Sequence, residues 1–96
     1  MAAKPDKSPN HTLDVRRKRL KFQAWHRGIQ EADLILGRFV DAHLETFTAA
    51  DLDWFDILFQ EVDQDILDWI TGKTPIPAKF DTPLMARLQR LEHMAP

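Results

Sequence analysis

Apolar residues recur along this chain at steps of three and four, the spacing that sets one side of a helix against a core. The first such segment runs from Leu13 to Arg27 and has two apolar sides. At about 100° per residue, Leu13, Leu20 and Ala24 share one face while Val15 and Phe22 point the opposite way. A helix of this kind either lies between two neighbours or keeps one side for a partner. Gly28 interrupts the pattern, and a second helix carries Ile29, Ala32, Leu36, Phe39, Val40 and His43. Phe47 closes a short loop. A third helix carries Leu52, Phe55, Leu58, Phe59 and Val62, and a fourth, from Asp63 to Ile70, presents Ile66, Leu67, Trp69 and Ile70. Leu84, Leu88 and Leu91 supply the stripe of a last helix. No segment keeps the strict alternation of a strand. The pattern predicts an all-α fold, a small five-helix bundle.

Local chemistry marks several boundaries. Thr48 with Asp51 three residues on forms a capping pair, in which the hydroxyl accepts from a free backbone N–H and the acid sits at the positive helix end. Thr71-Gly72 ends the fourth helix, since glycine accepts the left-handed conformation that follows a helix. Pro75-Ile76-Pro77 makes an extended spacer. Thr82-Pro83 starts the last helix with a hydroxyl cap and proline at the first helical position. Met1 to Thr12 is polar, holds Pro5 and Pro9, and has no apolar period, so it is expected to be a disordered tail ahead of one helical-bundle domain over 13–93. That segment has neither the apolar core of a secretory signal nor the arginines of a mitochondrial presequence, which points to a bacterial cytoplasm.

The composition narrows the chemistry. Ninety-six residues make one domain, and the absence of cysteine excludes disulfides, thiolate metal sites and a cysteine nucleophile. Three glycines do not make a phosphate-cradling loop. No apolar run approaches the roughly 20 residues of a membrane span, so no membrane insertion is expected. His11, His26, His43 and His93 show no ligand spacing, and no metal is expected. Asp63-Gln64-Asp65 resembles the start of a calcium loop but lacks its glycine and its closing glutamate. These acids read instead as caps and first-turn residues.

The net charge of −2 hides a strong asymmetry. Residues 1–28 hold eight Lys/Arg against two acids, and residues 29–70 hold eleven acids against Arg38 alone. The run Arg16-Arg17-Lys18-Arg19-Leu20-Lys21, with Phe22 and Trp25 nearby, has the makings of a phosphate and base contact. One basic turn supplies few phosphate contacts, however, and the acidic middle repels a polyanion. A basic arm lying on its own acidic half accounts for the run equally well.

Trp25-His26-Arg27-Gly28-Ile29-Gln30-Glu31 is the most unusual stretch. Gly28 lets the backbone turn between two helices. With Gly28 as the N-cap, Glu31 falls at the third helical position, where its carboxylate meets a free N–H. Glu31 is also within pairing reach of Arg27. Trp25, His26 and Arg27 are left exposed at a corner, and a guanidinium beside aromatic rings suits the capture of a partner's carboxylate or backbone.

The Arg27-Gly28-x-x-Glu31 motif sits between "RRKRLKFQAWH" and "ADLILGRF", and "DWITGKTPIP" and "TPLMARLQR" follow. This ordered set, from Asp14 to Leu91, resembles the bacterial succinate dehydrogenase flavinylation factors (SdhE-like assembly factors, related to a mitochondrial factor for the same enzyme). The resemblance implies a five-helix bundle and a chaperone-like, non-enzymatic role. Members bind the flavoprotein subunit of succinate dehydrogenase and, in some organisms, of fumarate reductase, and promote covalent attachment of FAD to a histidine there. By position, Arg27, Gly28 and Glu31 would be the functional motif, exposed towards the flavoprotein. Trp25 and His26 match its context, and Asp33 extends the surface. No cofactor would be held stably by the chain itself, and no nucleic acid is implied. The alternative function is a small nucleic-acid-binding or antitoxin-like regulatory module. A small acid–base enzyme is a third.

Overall fold

The computed structural model describes the backbone of residues 9–91 and the side chains of residues 13–91. Its elements are α1 (Pro9–Trp25), α2 (Gln30–His43), α3 (Ala49–Leu58), α4 (Asp63–Thr71) and α5 (Pro83–Gln89). Single 3-10 turns lie at Leu44–Thr46 and Ala78–Phe80. Among the described residues there is no strand. The five expected helices are therefore present in the expected order.

The first boundary moves. α1 begins at Pro9, so Pro9 to Thr12 are helical rather than part of the expected tail. Proline is tolerated in a first helical turn because its missing N–H has no partner to lose there. Met1 to Ser8, the rest of that expected tail, lie outside the described residues, as do 92–96.

Three other local signals hold. Thr48 and Asp51 make a reciprocal capping box: the Asp51 N–H donates to Thr48 Oγ1 at 3.2 Å, and the Thr48 N–H donates to Asp51 Oδ2 at 2.9 Å. Thr82 caps α5 by accepting from the Met85 N–H at 3.4 Å. Gly72 closes α4 with φ +83°. Asp63 and Asp65 are first-turn acids but not caps. Val62 holds the cap position of α4, with no side-chain hydrogen bond there.

The core is apolar throughout. Leu20 and Ala24 from α1 meet Ala32, Leu36, Phe39 and Val40 from α2, Leu52, Phe55 and Leu58 from α3, and Ile66 and Ile70 from α4, with Met85 and Leu88 from α5. Phe39, Phe47 and Phe55 form its aromatic centre, with Phe47 and Phe55 ring centroids 5.2 Å apart. α1 and α2 share the most extensive helix contact. Gly37, in mid-α2, makes it possible, because a Cβ there would fall inside the Trp25 indole. A helix-interior glycine costs about 1 kcal/mol relative to alanine; here it admits a tryptophan. Val62, expected in a helix stripe, is exposed instead because α3 stops at Leu58.

The structure also resolves the two-sided first helix. The Leu20–Ala24 face is buried, while Val15 and Phe22 are 44% and 64% exposed. Part of the basic arm folds onto the chain's own acids. Arg16 Nη2 reaches Asp53 at 2.7 Å and Asp56 at 2.9 Å, and Lys21 lies 3.7 Å from Asp41. Arg17 donates to the Phe47 carbonyl at 2.8 Å. No helix among the described residues is long and apolar enough to cross a membrane.

Candidate functional site

The corner between α1 and α2 brings the motif together. α1 ends at Trp25, and Gly28 takes φ +106°, a left-handed conformation that other residues enter only with strain. Ile29 is then extended and caps α2, which starts at Gln30. The cap is therefore Ile29, not Gly28, and Glu31 is the second helical residue rather than the third. It forms no capping box. The helix begins one residue later because Gly28 spends its positive φ on reversing the chain.

Asp33, not Glu31, satisfies the corner's backbone. Its Oδ1 accepts the Arg27 N–H at 2.6 Å, reaching back from the first turns of α2. The expected exposure of Arg27 is overturned. Its side chain is 13% exposed, and that of its partner Asp63 is 20%. Nε donates to Asp63 Oδ1 at 2.9 Å, Nη2 donates to the Phe59 carbonyl at 2.8 Å, and Nη2 also lies 2.7 Å from Asp63 Oδ1 as an ion pair. The guanidinium lies 4.4 Å from the centroid of the Phe59 ring. Two helix ends favour this arrangement. The Phe59 carbonyl belongs to the negative end of α3, and Asp63 occupies the first position of α4, at its positive end. Arg27 thus ties the corner to the α3–α4 turn, and it does not pair with Glu31.

The remaining motif residues divide between structure and surface. Trp25 is half-buried against Gly37 and donates from Nε1 to Asp41 Oδ2 at 3.1 Å. His26 is exposed and stacks on Phe22 with ring centroids 4.0 Å apart; its Nδ1 is 2.6 Å from the Phe22 carbonyl. Lys18, Lys21, Phe22, Trp25 and His26 surround a shallow dent of about 300 Å³. Gly28 is exposed, and a Cβ there would meet only Asp63 Oδ2, at 3.6 Å. Glu31 is exposed, and among the described residues no hydrogen bond or ion pair engages it. It stands on the rim of a groove of about 520 Å³ between the start of α2 and α4, lined also by Ile29, Gln64, Leu67, Asp68, Thr71 and Lys73. Among the described residues no three histidine, aspartate or glutamate side chains are placed to hold a metal ion.

Sequence spacing missed Asp63, Phe59, Asp41 and Gly37 as parts of this corner. Only Gly37 carries a local signal: a glycine inside a helical pattern often marks a close approach. Asp63 lies 36 residues from Arg27, one acid among the eleven of the chain's middle segment.

What the corner can do follows from this division. Arg27, Asp33 and Trp25 hold it in place, while Gly28 presents bare backbone and Glu31 an unpaired carboxylate beside an open groove. Bare backbone beside a carboxylate of this kind is chemistry able to receive a hydrogen-bond donor or a base.

A family model described as the flavinator of succinate dehydrogenase matches residues 18–92, which include the whole corner. The FAD assembly factor SdhE of Acetobacter pasteurianus is 40% identical over 76 residues, covering 79% of this chain and 70% of that protein. The mitochondrial succinate dehydrogenase assembly factor 2 of Scheffersomyces stipitis is 41% identical over 93 residues, covering 93% of this chain and 62% of its own length. The mitochondrial succinate dehydrogenase assembly factor 2-B of Drosophila simulans is 40% identical over 88 residues, covering 90% of this chain and 55% of its own length. The chain thus spans between about half and 70% of the length of these relatives. With the match running through every helix that builds the corner, the chain belongs to the family of flavinators of succinate dehydrogenase.

Proposed function

We propose that this chain is a chaperone-like assembly factor, not an enzyme, that binds the flavoprotein subunit of succinate dehydrogenase and promotes covalent attachment of FAD to it. The observation that carries this is Glu31: a carboxylate with no partner among the described residues, on the rim of an open groove, inside the segment that the family model matches. A fold-building acid would be paired, as Asp33 and Asp63 are.

The attachment chemistry belongs to the flavin and to the partner's histidine. This chain supplies position. A rigid corner that grips the partner restricts the orientations its domains sample, and fixed orientation alone can lower a barrier by several kcal/mol. Glu31 offers its carboxylate to a donor or base on the partner. Gly28, with no side chain, allows the partner's surface to approach the backbone. No FAD is held by this chain in the proposed cycle, and it leaves once attachment is complete. Named relatives are bacterial and mitochondrial, and for a bacterial host the encounter is proposed in the cytoplasm. The flavoprotein subunit of fumarate reductase, where present, is proposed as a second client.

The test is deletion of the gene for this chain, followed by in-gel flavin fluorescence of denatured protein. The covalent flavin band of the succinate dehydrogenase flavoprotein should fade. It should return with the wild-type gene but not with Glu31→Gln. An undiminished band in the deletion strain would sink the proposal. The fumarate reductase band, read from the same gel, decides the second client.

A further inference from the structure

Arg27 is the motif residue that the sequence makes an anchor for a partner, yet its polar contacts are internal. Two hydrogen bonds, from Nε to Asp63 and from Nη2 to the Phe59 carbonyl, and a 2.7 Å ion pair of Nη2 with Asp63 engage the guanidinium, and the Phe59 ring lies against it. Turning this group outward would leave the Asp63 carboxylate unpaired and little exposed, and that is costly.

The location of Asp63 gives the pair a purpose. Asp63 opens α4, and α4 supplies Gln64, Leu67 and Asp68 to the far wall of the groove beside Glu31. Arg27 immediately precedes Gly28, the one residue of the corner with positive φ. Glycine visits both signs of φ readily, so it does not hold the turn by itself. The turn is held from both sides of the Arg27 residue: Asp33 takes its backbone N–H, and Asp63 takes its side chain. Because Asp63 belongs to one wall and Arg27 is joined through Gly28 to the other, the ion pair sets the spacing and angle between them.

We infer that Asp63 is a positioning residue for the docking corner. It acts through Arg27 as an internal strut, so that Glu31 and the groove, rather than the Arg27 guanidinium, meet the partner. The functional half of this inference rests on the proposed flavoprotein binding, whereas the strut itself concerns the free chain.

Two measurements test it. The first is amide hydrogen exchange on the free protein, with Asp63→Asn as a near-isosteric variant. Exchange should quicken about tenfold or more at the hydrogen-bonded amides of Arg27 and of Asp33 to Leu36, while α5 amides keep their wild-type rates, as local opening requires. Unchanged exchange at the corner, or the same acceleration in α5, overturns the strut whatever the partner does. The second is binding to the purified apo-flavoprotein subunit of succinate dehydrogenase, corrected for the folded fraction. Arg27→Met and Asp63→Asn should each weaken binding about tenfold, and the double variant also about tenfold, because both remove one device. Asp63→Glu, which keeps the charge, should recover most of the affinity. Multiplying losses, of about a hundredfold in the double variant, would put Arg27 on the partner and overturn the inference. So would wild-type binding by Asp63→Asn. If the wild-type chain fails to bind the subunit, the proposed function falls and the positioning role falls with it; the exchange result still decides the strut.

Discussion

Gly37→Ala should destabilise this protein, although the same change stabilises most helices. Intrinsic propensity alone favours alanine by about 1 kcal/mol in a helix interior. Gly37 lies in the middle of α2, and the added Cβ would fall inside the Trp25 indole. Neither helix can yield cheaply, because α1 and α2 form the main helix contact of the bundle. If the indole moves, the Trp25 Nε1–Asp41 hydrogen bond of 3.1 Å goes with it, a net loss of about 1 kcal/mol. Overpacking of this kind adds roughly 1–3 kcal/mol. The balance is a loss of about 1–3 kcal/mol, and each kcal/mol lowers Tm by about 4–8 °C in a domain of this size. Urea unfolding followed by far-UV circular dichroism measures it, with an unchanged m-value as the check that only stability moved. The Trp25→Ala background sharpens the test. With the indole gone, Gly37→Ala should change sign and stabilise. An alanine variant as stable as wild type, or a loss that persists without Trp25, would refute the packing account.

Other outcomes follow from the same geometry. Glu31→Gln should leave stability within about 0.5 kcal/mol, since the side chain is exposed and unpaired, while abolishing co-purification with the flavoprotein; a clear fall in Tm would mean that Glu31 builds the fold. Gly28→Glu should keep the bundle folded by circular dichroism yet lose that binding, because it strains a φ of +106° and crowds the Asp63 carboxylate; normal binding would remove Gly28 from the docking surface. Thr48→Ala should cost about 1 kcal/mol through loss of the capping box, with Thr48→Ser near wild type in the same melt. Arg16→Gln should cost under about 1 kcal/mol at low salt and nothing measurable in 1 M salt, because its partners Asp53 and Asp56 are exposed. The Asp53 hydrogen bond raises the Arg16 pKa above its ordinary value. The cation's contribution is thus fully present at lower pH and is lost only as pH rises beyond the ordinary arginine range.

The division between what was legible and what was not follows the range of the interactions. Thr48 with Asp51, Thr82 before Pro83, and Gly72 after Thr71 marked helix ends correctly, because a cap joins groups within one turn and needs only local backbone geometry. The apolar steps of α2 and α4 named most of the core for a similar reason: the period of a helix sets its buried side. The R-G-x-x-E corner was legible as a motif and as a turn. Its internal roles were not. Sequence spacing favoured Gly28 as the cap and Glu31 at the third position. The structure instead made Ile29 the cap and Asp33 the acceptor of the corner's N–H, because one degree of backbone freedom at Gly28 was already used to reverse the chain.

Tertiary packing alone decided the rest. A two-sided first helix carries no mark of which side will be covered, and the structure buried Leu20 and Ala24 and left Val15 and Phe22 in solvent. The charge asymmetry likewise said that opposite charges would meet, not where. Arg16 found Asp53 and Asp56, and Arg27 found Asp63. Coulomb attraction does not choose among many acids by sequence distance. The choice depends on which helix ends lie side by side once the core has closed, and only then is Arg27 paired internally and Glu31 left without a partner among the described residues.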